Sequence, residues 1–429
     1  MNRPTTILTL TVLAGAALTP ALARERNCLQ PEPRTTSGPV EFRPSSIEPW
    51  GGQNALQNDP NAQPGTQPDA EPQPAATVSP RVEVVFVLDT TGSMGGLIEG
   101  AKQTIWSIAN AIATGEPHPD IRMGLIGYRD RGDAYITTAT NLTDDLDAIY
   151  SDLMSFEAGG GGDGPESVNQ ALHEAITTIS WSEDREVMRL VYLVGDAPPH
   201  MDYQNDVQYA ESCRIAAERG IIVNTVQCGG DPQTTTIWQE IARSAEGEYF
   251  AIAQDGGVAV IATPFDDQIA TLGAELGQTV VAYGDAEAQR VQQDRRDRAE
   301  ELDAAAPAPA AAERAVYNAS GAGRANLLGS QELVADLAEG KVSLEDIPEE
   351  NLPENMREMT LPEREAYVEQ QATRRGEIQT QINDLARQRQ TFLDEARAEA
   401  AGEGGFDQRV VEALRRQAAR FGIEYRKQK

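Results

Sequence analysis

Cysteine and histidine are both scarce: the 429-residue chain has three of each, Cys28, Cys213 and Cys228, and His118, His173 and His200. Three thiols cannot form a disulfide framework, so the fold has to rest on an apolar core. Basic residues are outnumbered, with 36 Lys and Arg against 67 Asp and Glu and a net charge of −31. That imbalance repels nucleic-acid phosphates and anionic lipid heads, and it excludes nucleic acid as a partner class. A membrane-spanning run is missing as well. The most apolar stretch, residues 7–23, is shorter than the ~20 residues needed to cross a bilayer and is interrupted by Thr and Pro.

What residues 1–23 do carry is a basic start at Arg3, an apolar middle and the small-x-small ending Ala21-Leu22-Ala23, the layout of a signal peptide cleaved after Ala23. The protein is therefore expected to be exported, to the periplasm or beyond it. Cys28 is not preceded by the small apolar residues of a lipid-attachment site, so no stable membrane anchor is expected. Residues 24–80 are rich in Pro, Gln, Asn and Gly and poor in apolar side chains. Such a composition buries too little surface to offset ordering entropy and reads as a disordered spacer.

At residue 81 the character changes. Apolar, β-branched runs at 81–88, 121–128, 186–195, 220–229 and 248–253 alternate with helical stretches at 95–113, 165–180, 205–220 and 234–247. The alternation predicts an α/β fold over residues 81–283, a doubly wound, mostly parallel sheet with helices on both faces. Residues 134–141 read as a short edge strand, and 263–283 as the helix that closes the domain. Cys213 in mid-helix and Cys228 at the far end of the next strand would sit at different heights, so no bond between them is expected. Residues 284–314 read as a charged helix and then an Ala/Pro linker, DAAAPAPAAAER at 303–314.

Residues 315–429 read as a second, helical region. Thr360 and Glu363 have the spacing of a capping box and open a helix running to about residue 401. Along it Val368, Ile378, Ile382, Leu385, Phe392 and Ala396 recur at a spacing of three to four, with Gln371, Arg375 and Arg389 between them. Unpaired arginines on a seam disfavour an extended dimer. Residues 315–429 are therefore expected to fold as a unit of their own, with Leu344, Ile347, Val410, Val411, Leu414 and Ile423 of segments 336–348 and 405–425 covering the long helix.

The chemistry lies where the first strand ends. Asp89-Thr90-Thr91-Gly92-Ser93 places a carboxylate and two hydroxyls at i, i+2 and i+4, at the carboxyl edge of a parallel sheet. Alone, that run reads first as a helix N-cap. A second acid, Asp196, follows the strand at 186–195 and reaches the same edge, and two acids at adjacent strand ends need a counter-charge. Oxygen ligands at short spacing suit Mg²⁺, Mn²⁺ or Ca²⁺, and the lack of a nearby His or Cys argues against zinc. Asp130 and Asp133 read as a turn and a salt-bridged edge, with a second ion as the alternative. His200 reads as a surface or capping residue in preference to a base. Met123, Met188, Trp106, Trp181 and Trp238 read as core.

DTTGSMG at 89–95, GYRDRGD at 127–133, GGGGDGPES at 159–167 and VGDAPPH at 194–200 together make residues 81–283 resemble the von Willebrand factor A family, in the form of an exported bacterial branch. The resemblance implies a metal-ion-dependent adhesion site: Asp-x-Ser/Thr-x-Ser after the first strand, a loop residue, and an Asp after the fourth. Asp89, Thr91, Ser93 and Asp196 match it position by position. Many relatives supply a Thr from the loop; this chain has none there, and Asp163 and Glu166 are the two candidates. The four glycines at 159–162 fit a close approach of backbone to ion and a mobile loop equally well.

The function so implied is binding and not catalysis. A divalent cation, Mg²⁺ or else Ca²⁺ or Mn²⁺, takes a carboxylate from a protein or peptide partner, and the C-terminal helices offer a second docking surface. Two alternatives stand beside it. One is an envelope assembly scaffold with a purely structural ion; the other is a phosphohydrolase with Asp89 as nucleophile, disfavoured because the second Asp that chemistry needs is replaced by Thr91.

Overall fold

Nine residues from Arg81 to Asp89, all but the first buried, form strand β1 at the centre of a six-stranded sheet. The computed structural model describes residues 79–162, 164–257, 260–399 and 405–425. The expected signal peptide, the spacer up to residue 78 and Cys28 lie outside them. The other strands are β2 (Asp120–Tyr128), β3 (Thr137–Thr143), β4 (Met188–Gly195), β5 (Ile221–Cys228) and β6 (Tyr249–Ile252). Their order is β3-β2-β1-β4-β5-β6, parallel except for the antiparallel edge strand β3. The β-branched composition of β1 and β4 follows from this placement, since a central parallel strand is covered on both faces.

Helices α1 (Gly95–Ala113) and α2 (Leu146–Ser155) cover the face formed by Val82, Val84, Phe86 and Leu88. Helices α3 (Val168–Thr177), α4 (Tyr209–Arg219) and α5 (Pro232–Ser244) cover Val85 and Val87 on the opposite face. The chain continues through α6 (Asp266–Gly277), α7 (Ala286–Ala305), α8 (Ala308–Ala319), α9 (Arg324–Leu328), α10 (Leu333–Ala338), α11 (Glu354–Arg357), α12 (Leu361–Glu399) and α13 (Phe406–Ala418). The fold is thus α/β with a mostly parallel, doubly wound sheet, followed by an α-helical C-terminal region. Cys213 and Cys228 are free and buried. No helix among the described residues is long and apolar enough to cross a membrane.

The element that closes the sheet is not the segment 263–283. Helix α6 turns away and buries Ile269, Leu272 and Leu276 against Ala312 and Ala315 of α8 and Ile378 and Ile382 of α12. Gly273 permits this approach, because a Cβ there would lie 2.5 Å from the Cβ of Ala315. The place beside α1 is taken instead by α13. Phe406 meets Phe86 edge-on at 6.1 Å, the Tyr192 hydroxyl donates to the Val410 carbonyl at 3.0 Å, and Asn224 and Gln417 exchange side-chain amide bonds at 3.1 and 2.7 Å. Val410, Leu414 and Ile423 therefore pack on the sheet and not on the long helix. Residues 315–429 do not close a core among themselves.

The Ala/Pro run at 303–314 is a break between two helices. Pro307 is the N-cap of α8 and Pro309 sits in its first turn, where the missing N–H is not needed, while Ala310, Ala311, Ala312 and Ala315 are buried. Its alanines are small because the helices pack closely. The expected capping box is met by its Glu half: the Glu363 carboxylate accepts from both the Thr360 amide and hydroxyl at 2.7 Å. Leu344 and, in part, Ile347 and Val368 share a core, as the pattern anticipates. The buried face of α12 runs through Arg375, Ile378, Ile382, Arg389 and Leu393, leaving Phe392 exposed. Its two arginines are neutralised within the chain, Arg375 by Glu332 at 2.7 Å and Arg389 by Asp266 at 2.6 Å.

Candidate metal centre

The strand order reverses at β1, whose neighbours β2 and β4 lead to opposite edges of the sheet. Chains leaving β1 and β4 part there and open a crevice at their carboxyl ends, the usual place for a ligand on such a sheet. Asp89 is the last residue of β1 and fully buried. Its Oδ1 accepts from the Thr91 amide at 2.8 Å and the Thr91 hydroxyl at 2.6 Å, and Ser93 Oγ lies 3.3 Å from Thr91 Oγ1. The alternative of a plain N-cap fails, because Thr91 makes no side-chain capping bond to the turn Gly92–Met94 that follows. Asp89 Oδ2 is buried without a hydrogen-bond donor. Burial above all, with the charge of Asp196 added, pushes the Asp89 carboxyl up to about 7 despite the opposing Thr91 bonds. The absence of a side chain at Gly195 makes the approach possible: a Cβ there would lie 3.1 Å from Asp89 Oδ2 and would strike the Tyr128 hydroxyl.

Of the two loop candidates Glu166 reaches this site, while Asp163 lies outside the described residues. Glu166 is buried, with Oε2 lacking a donor, and its backbone is tied to the loop after β4 through Glu166 N–H to Pro198 O at 3.0 Å and His200 N–H to Glu166 O at 3.1 Å. Burial first, then the negative charges of Asp89, Asp130, Asp133 and Asp196, push its carboxyl up to about 9. The preceding glycines are needed for close packing. Gly160 and Gly161 have φ of 75° and 73°; a Cβ on the first would collide with the Asp133 carboxylate, and on the second would lie 3.2 Å from Glu166 Oε1. Asp133 Oδ2 accepts from the amides of Gly161 at 2.9 Å and Asp130 at 3.2 Å, and the Gly159 amide donates to Thr90 O at 3.0 Å.

Two neighbours differ from their expected roles. Asp130 is no surface ion-pair partner: it is buried and accepts from the Ser167 hydroxyl at 2.9 Å and the Tyr203 hydroxyl at 2.8 Å. His200 is buried too, stacked on Tyr203 with centroids 4.1 Å apart, with Nδ1 2.8 Å from Asp202 and Nε2 3.4 Å from Asp130. Both residues brace the loop that presents Glu166. A contact that no local motif announces is that of Gln254, after β6, whose Nε2 donates to Asp196 Oδ2 at 2.6 Å.

Among the described residues no three Asp, Glu, His or Cys side chains are gathered closely enough to chelate an ion by themselves. The hydroxyls of Thr91 and Ser93 would have to contribute, which makes a mixed oxygen donor set suited to a hard divalent cation. Two buried carboxylate oxygens without donors, on acids that repel each other, fit such an ion. Beside them opens a crevice of about 400 Å³ lined by Ser93, Glu166, Asp196, Asp231 and Gln233, among others.

Comparison with known proteins gives matches over part of the chain. A putative ariadne-like RING finger protein of Acanthamoeba polyphaga mimivirus is 28% identical over 119 residues, an alpha-protein kinase of Dictyostelium discoideum 32% over 127, and the human von Willebrand factor A domain-containing protein 7 34% over 99. The matches cover 28%, 29% and 23% of this chain but only 11%, 20% and 10% of those proteins. Among solved structures, proximal thread matrix protein 1 from the mussel byssus aligns with 41% of this chain and 43% of its own at 16% identity and a TM-score of 0.33; one of its structures has a zinc-occupied MIDAS motif. The von Willebrand factor A domain matches residues 83–264. With Asp89, Thr91, Ser93 and Asp196 at its strand ends, that segment of the chain is a von Willebrand factor A domain.

Proposed function

We propose that the strand-end cluster binds one divalent cation, Mg²⁺ or else Mn²⁺ or Ca²⁺, and that the cation holds a carboxylate of a protein or peptide partner. The observation that carries this reading is the pair of buried carboxylate oxygens, Asp89 Oδ2 and Glu166 Oε2, that meet no donor, on acids whose strongest charge interactions are repulsive. Leaving them uncompensated is costly, and a cation removes that cost. Asp89, Thr91, Ser93, Asp196 and Glu166 would hold it, with Asp163 as a further candidate. The bound cation supplies a Lewis-acidic position for an oxygen ligand. The crevice lined by Ser93, Asp196 and Gln233 gives an incoming side chain room beside it. An acidic protein would otherwise repel an acidic partner, and the cation supplies the missing attraction.

Binding, and not hydrolysis, is the reading favoured by the arrangement around Asp89. Its Oδ1 is held by Thr91, which stands where a phosphohydrolase needs a second acid. The buried ring of His200 faces two carboxylates. The N-terminal sequence supports action outside the cytoplasm.

Isothermal titration with Mg²⁺ and Mn²⁺ tests the site. Wild type should bind one cation and Asp89→Ala should bind none; equal binding by both would overturn the assignment. A pull-down with Mg²⁺ and again with chelator separates an adhesive ion from a purely structural one, since only the adhesive ion makes partner capture chelator-sensitive while the protein stays folded.

A further inference from the structure

Gln254 belongs to none of the motifs that mark the cation site, yet it reaches that site across the width of a strand. It lies in the turn after β6, two strands from β4, and its side chain crosses the end of β5 to donate from Nε2 to Asp196 Oδ2 at 2.6 Å. The route is left open by Gly229, where a Cβ would collide with Gln254 Oε1. The turn itself is fixed on three sides. Its Asp255 sits on the start of α1, so close that a Cβ on Gly96 would lie 2.9 Å from the Asp255 Cα. Gly256 (φ 84°) packs over Leu97, and its carbonyl accepts from the amide of Phe406, the first residue of α13, at 3.1 Å. The Gly229 amide is bound to Ile252 O at 3.0 Å.

We propose that Gln254 is the positioning residue of the cation site, holding the Asp196 carboxylate in the orientation that meets Asp89. The inference rests on the cation reading above and goes one layer further out. With Oδ2 engaged, the Asp196 carboxylate cannot rotate freely away from the site, so less ordering remains to be done when an ion binds. An amide suits this task better than Lys or Arg. It donates a hydrogen bond to the carboxylate and brings no positive charge to compete with the cation.

The test is Gln254→Met in the full-length protein, a change that keeps the length of the side chain and removes the donor. Free Mn²⁺ is followed by electron paramagnetic resonance to obtain its Kd, and the melting temperature is measured in chelator. Loss of an outer-layer partner of a metal ligand weakens affinity by 10- to 100-fold in general; at this exposed position about 10-fold is expected, with the cation-free melting temperature unchanged. An unchanged Kd overturns the proposal, and so does a weaker Kd accompanied by a lowered cation-free melting temperature, which would make Gln254 a structural residue. Asp89→Ala separates the two levels of argument. Should wild type and Asp89→Ala bind Mn²⁺ equally, the cation reading fails and this inference with it; should wild type alone bind and Gln254→Met match it, only the positioning role is lost.

Discussion

Glu166 shows at the scale of one residue how binding and stability are set against each other. Burial and four acidic neighbours raise its folded pKa to about 9. An acid with a raised folded pKa gives stability that is complete below its unfolded pKa, in the ordinary carboxylate range, and is lost as pH rises through the folded value. Cation-free protein should therefore lose melting temperature between about pH 5 and pH 9. Glu166→Gln keeps the shape and removes the charge, so it should melt a few degrees higher in chelator at pH 8, show a flatter decline, and bind Mg²⁺ more weakly. Calorimetry with and without chelator checks all three. Asp89, Thr91, Ser93 and Asp196 were legible in the sequence because one short motif and one strand end carry them. Asp133 and Gln254 were not, because what joins them to the site is a crossing of loops from strands that are distant in the chain. Nothing in GGGGDGPES distinguishes glycines where a Cβ would meet Asp133 or Glu166 from one where it would stand in open space, as at Gly162.

At the scale of elements, the helical region is fastened to the α/β domain by buried ion pairs. Arg314 of α8 donates through Nε and Nη2 to the two oxygens of Asp147 in α2 at 2.7 and 2.6 Å, and through Nη1 to Asp303 at 2.7 Å. Burial alone would raise the Asp147 carboxyl, but the Arg314 charge and hydrogen bonds outweigh it and hold the carboxyl below its ordinary range. A depressed folded pKa means stability that is present above the unfolded value of about 4 and is lost as pH falls through the lower, folded one. Asp147→Ala should cost roughly 3 kcal/mol, the lower end for a broken buried pair, because it takes the two-pronged partner from a buried guanidinium and leaves it the Asp303 contact. It should also remove part of the loss of stability expected on acidification below about pH 4, to be measured by urea unfolding at pH 7 and pH 3. The strands, α12 and its capping box could be read from periodicity and composition. The alanines of α8 could not, since close helix packing and a flexible linker draw on the same residues, and only the partner helix decides between them.

For the whole molecule, the order of the chain and the order of packing diverge. The sheet is complete at β6, yet one of the helices that pack on Phe86 and Tyr192, α13, comes last in the chain. The apolar stripe of α13 was visible in the sequence; that it belongs to the sheet and not to α12 was not, because a stripe specifies burial without naming its partner. The two ends of the intervening segment nevertheless meet. A Cβ on Gly257 would lie 3.5 Å from the Cα of Gly405, and the Gly256 carbonyl accepts from the Phe406 amide at 3.1 Å. Residues 258–404 thus have the geometry of an insertion between the last strand and the last helix of the α/β domain. A chain with 258–404 replaced by a linker of about two residues, each reaching ~3.3–3.6 Å when extended, should fold cooperatively and still bind Mg²⁺. It should be less stable than the full protein, since Trp106 would lose its contact with Tyr317. Residues 79–283 alone should instead expose the sheet face, bind a hydrophobic dye and lack a cooperative melt, because the packing of Phe406, Val410 and Leu414 at roughly 1.5–3 kcal/mol each is gone. Circular dichroism melting of the two chains decides the matter: a cooperative transition in 79–283 with none in the excised chain would show that α13 is not the helix that closes this sheet.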